Sequence, residues 1–326
     1  MHAIRLHAFG PPGNLRYETV PDPEPAPGQV RIRVAAAGVH LLDTILRAGT
    51  SDGPMPPAEL PTIPGREVAG TVDALGDGVD RGWLGTRVVT HLGLAPGGYA
   101  ELAVRDADAL HALPDGLAED VAVAMIGTGR TAVSLALAST PTADDVVLVT
   151  AAAGGLGALF VQAARDAGAY VVGAAGGEEK IRRVWELGAD AAVDYRDEDW
   201  PAHVRATLEG RELTVALDGV GGTLGRQALE LLGPGGRLIL YGWSSGAATR
   251  FDAGDLYRAG LTATVALAPG LLRRPGVLRG LETEALAAAA AGRLRPLLTR
   301  FALRDAAAAH AALEERRTVG KVVLVP

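Results

Sequence analysis

Two patterns of apolar residues divide the chain. Over residues 1–120 the apolar positions come in short alternating runs at 29–36, 68–75, 87–90 and 100–104, cut by Pro and Gly turns. They predict a β-rich domain. Within it, residues 39–48 predict a short helix closed by Gly49, Pro21 to Pro27 a stiff surface turn, and 51–64 a Pro-rich surface loop. From about Asp144 the pattern changes. Apolar runs at 146–150, 170–175, 191–195, 213–218, 237–241 and 261–268 alternate with amphipathic stretches near 156–167, 178–187, 200–209 and 222–232. Six such strands alternating with helices predict a doubly wound parallel sheet, with ligands at the carboxyl ends of its strands. A helix opening at 115–120 runs towards this region. The tail reads as Ala-rich helix over 281–317, and the final strand, 321–326, has no partner nearby and is expected to return to the first domain.

The stretch 146–157 organises the rest. An aliphatic run stops at Ala151, and a helical pattern starts after Gly154, Gly155, Leu156 and Gly157. Strand, tight glycine turn and helix form the context in which a pyrophosphate meets free N–H groups at a helix N-terminus. The spacing is Ala-x-x-Gly-x-x-Gly, with Ala152 where the dinucleotide fingerprint has its first Gly. The same spacing also serves ordinary strand–helix turns. The next strand ends in Ala175, Gly176 and Gly177, without the acid that NAD-selective enzymes place on the ribose. Lys180 follows one turn later, and Tyr195 and Arg196 end the third strand. Cations and a phenol beside an uncharged turn suit a 2′-phosphate, so the cofactor read from these residues is NADPH. Each cation taken singly is equally explained as exposed charge.

Size and charge narrow the class. The 326 residues suffice for two domains, and 48% hydrophobic content indicates a globular chain. There are no cysteines, which removes disulfides, thiol nucleophiles and Cys-ligated metals together. A net charge of −7 argues against a nucleic-acid partner. No apolar run reaches membrane-span length and no signal-peptide pattern opens the chain, so a cytoplasmic protein with no membrane partner is expected.

Motifs along nearly the whole chain then carry a resemblance. They are Gly38-Val39-x-x-x-Asp43, Ile63-Pro64-Gly65-x-Glu67-x-x-Gly70, Gly97-Gly98-Tyr99-Ala100-Glu101, Gly129-x-Thr131-Ala132, the turn 151–157, Asp218-x-Val220-Gly221-Gly222, Gly235-Gly236-Arg237 and Gly320-Lys321-Val322-Val323-Leu324. In order and spacing the chain resembles the zinc-independent, zeta-crystallin-like quinone oxidoreductases of the medium-chain dehydrogenase/reductase superfamily. The resemblance implies an α/β protein: a GroES-like β-rich catalytic domain from residues 1–120 and 270–326, and a Rossmann-type domain with a six-stranded doubly wound parallel sheet from 121–269. It further implies an active cleft at their junction and a homodimer, with 261–268 as the shared edge strand. Where zinc-dependent relatives carry Cys, His and Cys ligands, this chain has His40, Arg66 and Gly127. Arg66 cannot be deprotonated to ligate, Gly127 has no side chain, and His40 with Glu67 does not complete a tetrahedral site. No metal is expected.

Without a Lewis acid, hydride transfer suits acceptors that need little polarisation, namely quinones and α,β-unsaturated carbonyls. His40 is the candidate proton donor, with Asp43 orienting it, and Arg66 a candidate holder of a polar substrate group. The bland readings are a polar pair at the domain junction and an ion pair of Arg66 with Glu67 or Asp43. A Tyr that the family often has two residues after the Asp is Ile45 here. The resemblance implies Thr131 near the nicotinamide ribose and Arg316 near the 2′-phosphate. Val220, Gly242, Trp243 and Ser244 follow strands at the sheet's carboxyl edge, where the nicotinamide half would lie. His91 and Tyr99 read as structural. Two other functions stay open: an enoyl-thioester reductase of a biosynthetic pathway, and an NADPH-binding redox sensor or structural protein without turnover.

Overall fold

The computed structural model describes residues 1–49, 58–93, 96–265, 274 and 276–326. The segment 50–57 of the expected surface loop and the end of the expected strand 261–268 lie outside these residues. The chain forms two compact units, residues 1–127 with 298–326 and residues 128–297.

In the first unit, β1 (His2–Leu6) and β2 (Leu15–Thr19) form a two-stranded ribbon. The main sheet is built around β3 (Gln29–Val39). Its alternation of Val30, Ile32 and Val34 sends those residues inward, and from Ala36 to Val39 every residue is buried. Strand β3 pairs antiparallel with β4 (Glu67–Leu75), with β6 (Leu102–Asp106) and with the last strand, β15 (Lys321–Val325). Beyond β4 lie β5 (Arg87–His91) and β7 (His111–Ala112); beyond β15 lies β14 (Leu298–Ala302). Helix α1 (Leu41–Ala48) leaves β3 and closes on Gly49, whose φ of 76° is the left-handed cap that glycine takes without strain. Helix α2 (Glu119–Ala124) passes through a π-type turn, Met125–Gly129. The core holds Ile4, Val30, Ile32, Val68, Val88 and Leu324.

The tail differs from the expected continuous helix. Helix α9 (Val277–Ala290) packs on α3 (Arg130–Ser139) in the second unit. Gly292 and Pro296 interrupt the helical pattern, and Leu298-Thr299-Arg300-Phe301-Ala302 extends as β14, which gives β15 a parallel partner close in sequence. Helix α10 (Ala306–Glu314) follows. The return to the first unit therefore begins at Leu298 and not near residue 270.

The second unit is the expected parallel sheet. Strands β8 (Val146–Thr150), β9 (Tyr170–Ala175), β10 (Ala191–Asp194), β11 (Leu213–Asp218), β12 (Leu232–Leu240) and β13 (Thr262–Val265) lie in the order β10-β9-β8-β11-β12-β13, all parallel. The order reverses between β8 and β11, which makes that point the ligand crevice of a doubly wound sheet. Helices α4 (Gly155–Asp166), α5 (Glu178–Glu186), α6 (Trp200–Leu208) and α7 (Gly222–Glu230) connect the strands, and α8 (Ala253–Ala259) precedes β13. The helical run Glu119–Ser139 is 21 residues long and apolar enough to cross a membrane by length and composition, but 67% of its most apolar stretch is buried within the protein, as in a core helix.

Trp200 is buried at 1% exposure, and its indole N–H donates to Gln227 Oε1 at 2.8 Å, which ties α6 to α7. Trp200→Ala is expected to cost the second unit about 3–5 kcal/mol, read as a lower urea midpoint. A change under about 1 kcal/mol would show that this cluster does not carry the packing.

Candidate functional site

The first unit gathers its charges around one buried carboxylate. Val39 of β3 pairs with Val322 and Ala37 with Val68, so Lys321 and Glu67 begin their strands on either side of Gly38. Glu67 is fully buried and Lys321 is 4% exposed. Glu67 Oε2 lies 2.8 Å from Lys321 Nζ, and its Oε1 lies 2.6 Å from His40 Nε2. Lys321 Nζ is also 3.0 Å from His40 Nε2. Burial alone would raise the pKa of Glu67. The positive charges of His40 and Lys321, with His91 behind them, outweigh it and hold the carboxyl well below its ordinary range.

Two glycines make room for this group. A Cβ on Gly127, in the π-type turn, would fall 1.7 Å from Glu67 Oε1, and a Cβ on Gly38 would fall 2.2 Å from Oε2. The missing side chain at 127 is therefore a space that Glu67 fills. Among the described residues, no three His, Cys, Asp or Glu side chains gather where they could hold a metal ion.

A second buried network runs beside the first. His40 caps α1, and Asp43 at the third position accepts its backbone N–H at 2.8 Å. The Tyr99 hydroxyl donates to Asp43 at 3.0 Å and meets His310 Nε2 at 3.2 Å. Arg66 Nε lies 3.5 Å from Asp43 Oδ1. Asp43 is thus joined to His40 by a capping box, while Glu67 lies against the His40 ring. Burial, then the adjacent Asp43 charge, push the Tyr99 phenol well above its ordinary pKa. Helix α1 buries Asp43, Thr44 and Arg47, while Leu41 is 38% exposed. Its polar face points inward because its partners, Tyr99 for Asp43 and Glu314 for Arg47, are there.

In the second unit the turn after β8 has the expected form. Ala151 takes a left-handed φ of 49° and its carbonyl accepts the Gly154 N–H at 2.8 Å. Helix α4 begins at Gly155, and a Cβ on Gly157 would lie 2.2 Å from the Ala151 oxygen, so only glycine lets the helix come this close. Thr150 donates to the buried Asp218 at 3.0 Å, and Asp218 also accepts from the backbone of Val220 and Gly221. Ser244 N donates to the Gly219 carbonyl and Tyr241 donates to the Thr150 carbonyl at 2.7 Å. The loops after β8, β11 and β12 are thereby fixed together, which brings Ala151, Gly154, Gly155, Leu156, Gly157, Val220, Gly242 and Ser244 to one edge of the sheet. Trp243 stands there 59% exposed.

The ribose end contains a group that the sequence reading missed. Gly176 and Gly177 turn beneath Tyr195 and Arg196, as expected: a Cβ on either would lie 3.1 Å from those side chains. Asp194, the last residue of β10, accepts the Gly177 N–H at 3.0 Å and pairs with Arg196 at 2.7 Å. An acid therefore does sit in this turn, donated by the third strand and not the second, and its partner Arg196 lowers its pKa. The signal was a carboxylate immediately before Tyr195 and Arg196 at a carboxyl strand end. Lys180 lies in the first turn of α5, Thr131 in that of α3, and Arg316 is exposed in the first unit after α10, with a left-handed φ of 57°.

Comparison with known proteins agrees with both units. The family model described as Alcohol dehydrogenase GroES-like domain matches residues 26–115, and that described as Zinc-binding dehydrogenase matches residues 155–277. A quinone oxidoreductase of Pseudomonas aeruginosa is 33% identical over 99% of both chains. A 2-haloacrylate reductase of a Burkholderia species is 35% identical, covering 99% of this chain and 98% of its own. The crystal structure of Escherichia coli quinone oxidoreductase complexed with NADPH superposes with a TM-score of 0.88 at 29% identity, over 100% of both chains. The chain belongs to the zinc-independent quinone oxidoreductase group of the medium-chain dehydrogenase/reductase superfamily. In this oxidoreductase the Glu67 carboxylate lies against His40 and Lys321 and fills the space left at Gly127. Lys321 was also missed from the sequence. Its signal was a lone cation opening an apolar strand, Lys-Val-Val-Leu-Val, which needs a buried counter-charge.

The buried network also gives the oxidoreductase an acid-sensitive point. His310 is fully buried, and desolvation lowers its pKa from 6.5 to about 4. The folded protein keeps this imidazole neutral where the unfolded chain takes up a proton. Its contribution is complete above pH 6.5 and is lost as pH falls towards 4. Unfolding free energy is expected to drop across that window by on the order of 3 kcal/mol more in the wild type than in His310→Gln. Parallel pH dependences of the two proteins in urea denaturation would refute this.

Proposed function

We propose that this protein is a zinc-independent, NADPH-dependent reductase that delivers hydride to a quinone or an α,β-unsaturated carbonyl. The observation that carries the reading is the pairing of a nucleotide-type turn at the sheet's switch point with a zinc position rebuilt as His40, Arg66 and Gly127. NADPH, when bound, supplies the hydride. The turn at 151–157 receives its pyrophosphate on the N–H groups that open α4. Lys180, Tyr195 and Arg196 serve the 2′-phosphate, and Asp194 holds Arg196 in that turn. Thr131 meets the nicotinamide ribose, and Val220, Gly242, Trp243 and Ser244 receive the nicotinamide half. His40 gives a proton to the substrate oxygen as negative charge builds on it, and solvent restores that proton. Arg66 holds a polar group of the substrate. A second reading, a short conjugated acid as substrate, is favoured by the 35% identity to a 2-haloacrylate reductase. The intracellular supply of NADPH makes the cytoplasm the setting this activity implies.

NADPH and NADH oxidation is measured with benzoquinone, phenanthrenequinone, a simple enone, a 2-haloacrylate and a crotonyl thioester. The expected outcome is NADPH turnover with a quinone, enone or haloacrylate, a loss in kcat of about 100-fold in His40→Ala, and a weaker Kd for NADPH but not NADH in Arg196→Ala. Preference for the thioester would move the protein to the enoyl-thioester reductases. Binding of NADPH without any turnover would make it a sensor, and equal use of NADH would remove the 2′-phosphate assignment.

A homodimer is part of the same proposal. Among the described residues strand β13 is the last of its sheet, and it is largely exposed, with Val265 at 51%. An edge of this kind pairs readily with a second copy. Sedimentation velocity is expected to give a dimer, reduced to monomer by Thr264→Pro; a monomeric wild type at micromolar concentration contradicts it.

A further inference from the structure

The inference concerns how His40 is held, and it rests on the reading of His40 as a proton donor. Three charged groups meet at one ring nitrogen. Glu67 Oε1 is 2.6 Å and Lys321 Nζ 3.0 Å from His40 Nε2, and the carboxylate and ammonium are themselves 2.8 Å apart. An ammonium has only protons to offer and a carboxylate only lone pairs. On that nitrogen the carboxylate favours a proton and the ammonium disfavours one, so the two act on the same ring in opposite senses. The ring is about a quarter exposed while both its partners are buried, so the pair works from the protein side.

We propose that Glu67 and Lys321 are opposed positioning residues for His40: the carboxylate favours the imidazolium, and the ammonium limits that preference so the ring can release a proton. The other charges packed here are Asp43, bonded to the His40 backbone, Arg66, held at Asp43, and His91, which acts on Glu67. Gly38 and Gly127 hold the geometry, since a side chain at either would displace a carboxylate oxygen. In the step this serves, substrate gains a hydride and its two electrons at carbon. Its oxygen then takes a proton from the imidazolium, and the ring is left neutral.

The test does not depend on turnover. The ring of His40 is followed by NMR in protein carrying nitrogen-labelled histidine, its signals identified by their loss in His40→Gln. The midpoint of its titration is expected to fall by about one pH unit or more in Glu67→Gln and to rise by a similar amount in Lys321→Met. The Glu67→Gln/Lys321→Met double variant returns towards the wild type. Midpoints within about 0.3 pH units of wild type in folded variants, or shifts of the same sign, overturn the proposal. If the shifts appear while His40→Gln still reduces substrate at the wild-type rate, the opposed pair stands and the donor role falls.

Discussion

A carboxylate with no access to water sets the terms for the first unit. Glu67 is ionised at full burial, and an isolated charge in that position would cost several kcal/mol. It is tolerable only if cations reach both of its oxygens. One comes from the last strand of the chain and one from the residue that caps α1. The pair therefore links β4, β15 and the β3–α1 junction in one contact, and the C-terminal strand cannot leave the sheet without stranding Glu67. Removing one member of such a pair costs about 3–5 kcal/mol, far more than the pair adds over an apolar replacement. Its persistence is better explained by what it does to His40 than by stability.

The second unit uses a buried carboxylate differently. Asp218 receives only hydrogen bonds, from Thr150, Thr249 and the backbone of Val220 and Gly221. No cation is paired with it among these contacts. It serves as a staple at the carboxyl ends of β8 and β11, and so holds the loops at the switch point in one arrangement before any ligand arrives. Preorganised backbone N–H groups bind phosphate without a further ordering cost.

Much of this was legible from sequence because periodicity reports burial. The six parallel strands and their helices follow from aliphatic runs with nothing else to explain them, and β8, β9 and β11 begin and end as expected. The tail misled because alanine carries a helical propensity that says nothing about where a helix stops. Composition masked β14 until its pairing with β15 was seen. The site residues divide along the same line. His40, Arg66 and Gly127 stood out against a motif at fixed spacing. Lys321 and Asp194 did not, because each acts through a partner distant in sequence or on an adjoining strand, and a one-dimensional pattern carries no such pairing. The acid missing after the second strand was a true absence at Ala175, yet the ribose turn still received a carboxylate from the third.

The glycines show why absence can be informative. Gly38 lies inside a strand, Gly157 and Gly225 inside helices, and Gly127 in a π-type turn. A glycine in the interior of such an element costs roughly 0.5–1 kcal/mol relative to alanine. Each of the four gives up its Cβ to an oxygen. Added atoms at Gly38 and Gly127 would strike Glu67, at Gly157 the Ala151 carbonyl, and at Gly225 both Thr249 and Asp218. None has the positive φ that would make glycine necessary for the backbone itself. The space left at each supports either a buried carboxylate or a close backbone approach. Gly70 and Gly233 meet the same description inside strands, against the Arg33 carbonyl and Glu212 Oε2, so an oxygen beside an interior glycine marks a close approach and not by itself a site. At Gly127 the approach is that of the Glu67 carboxylate, which lies against the His40 ring and fills the space a side chain would take.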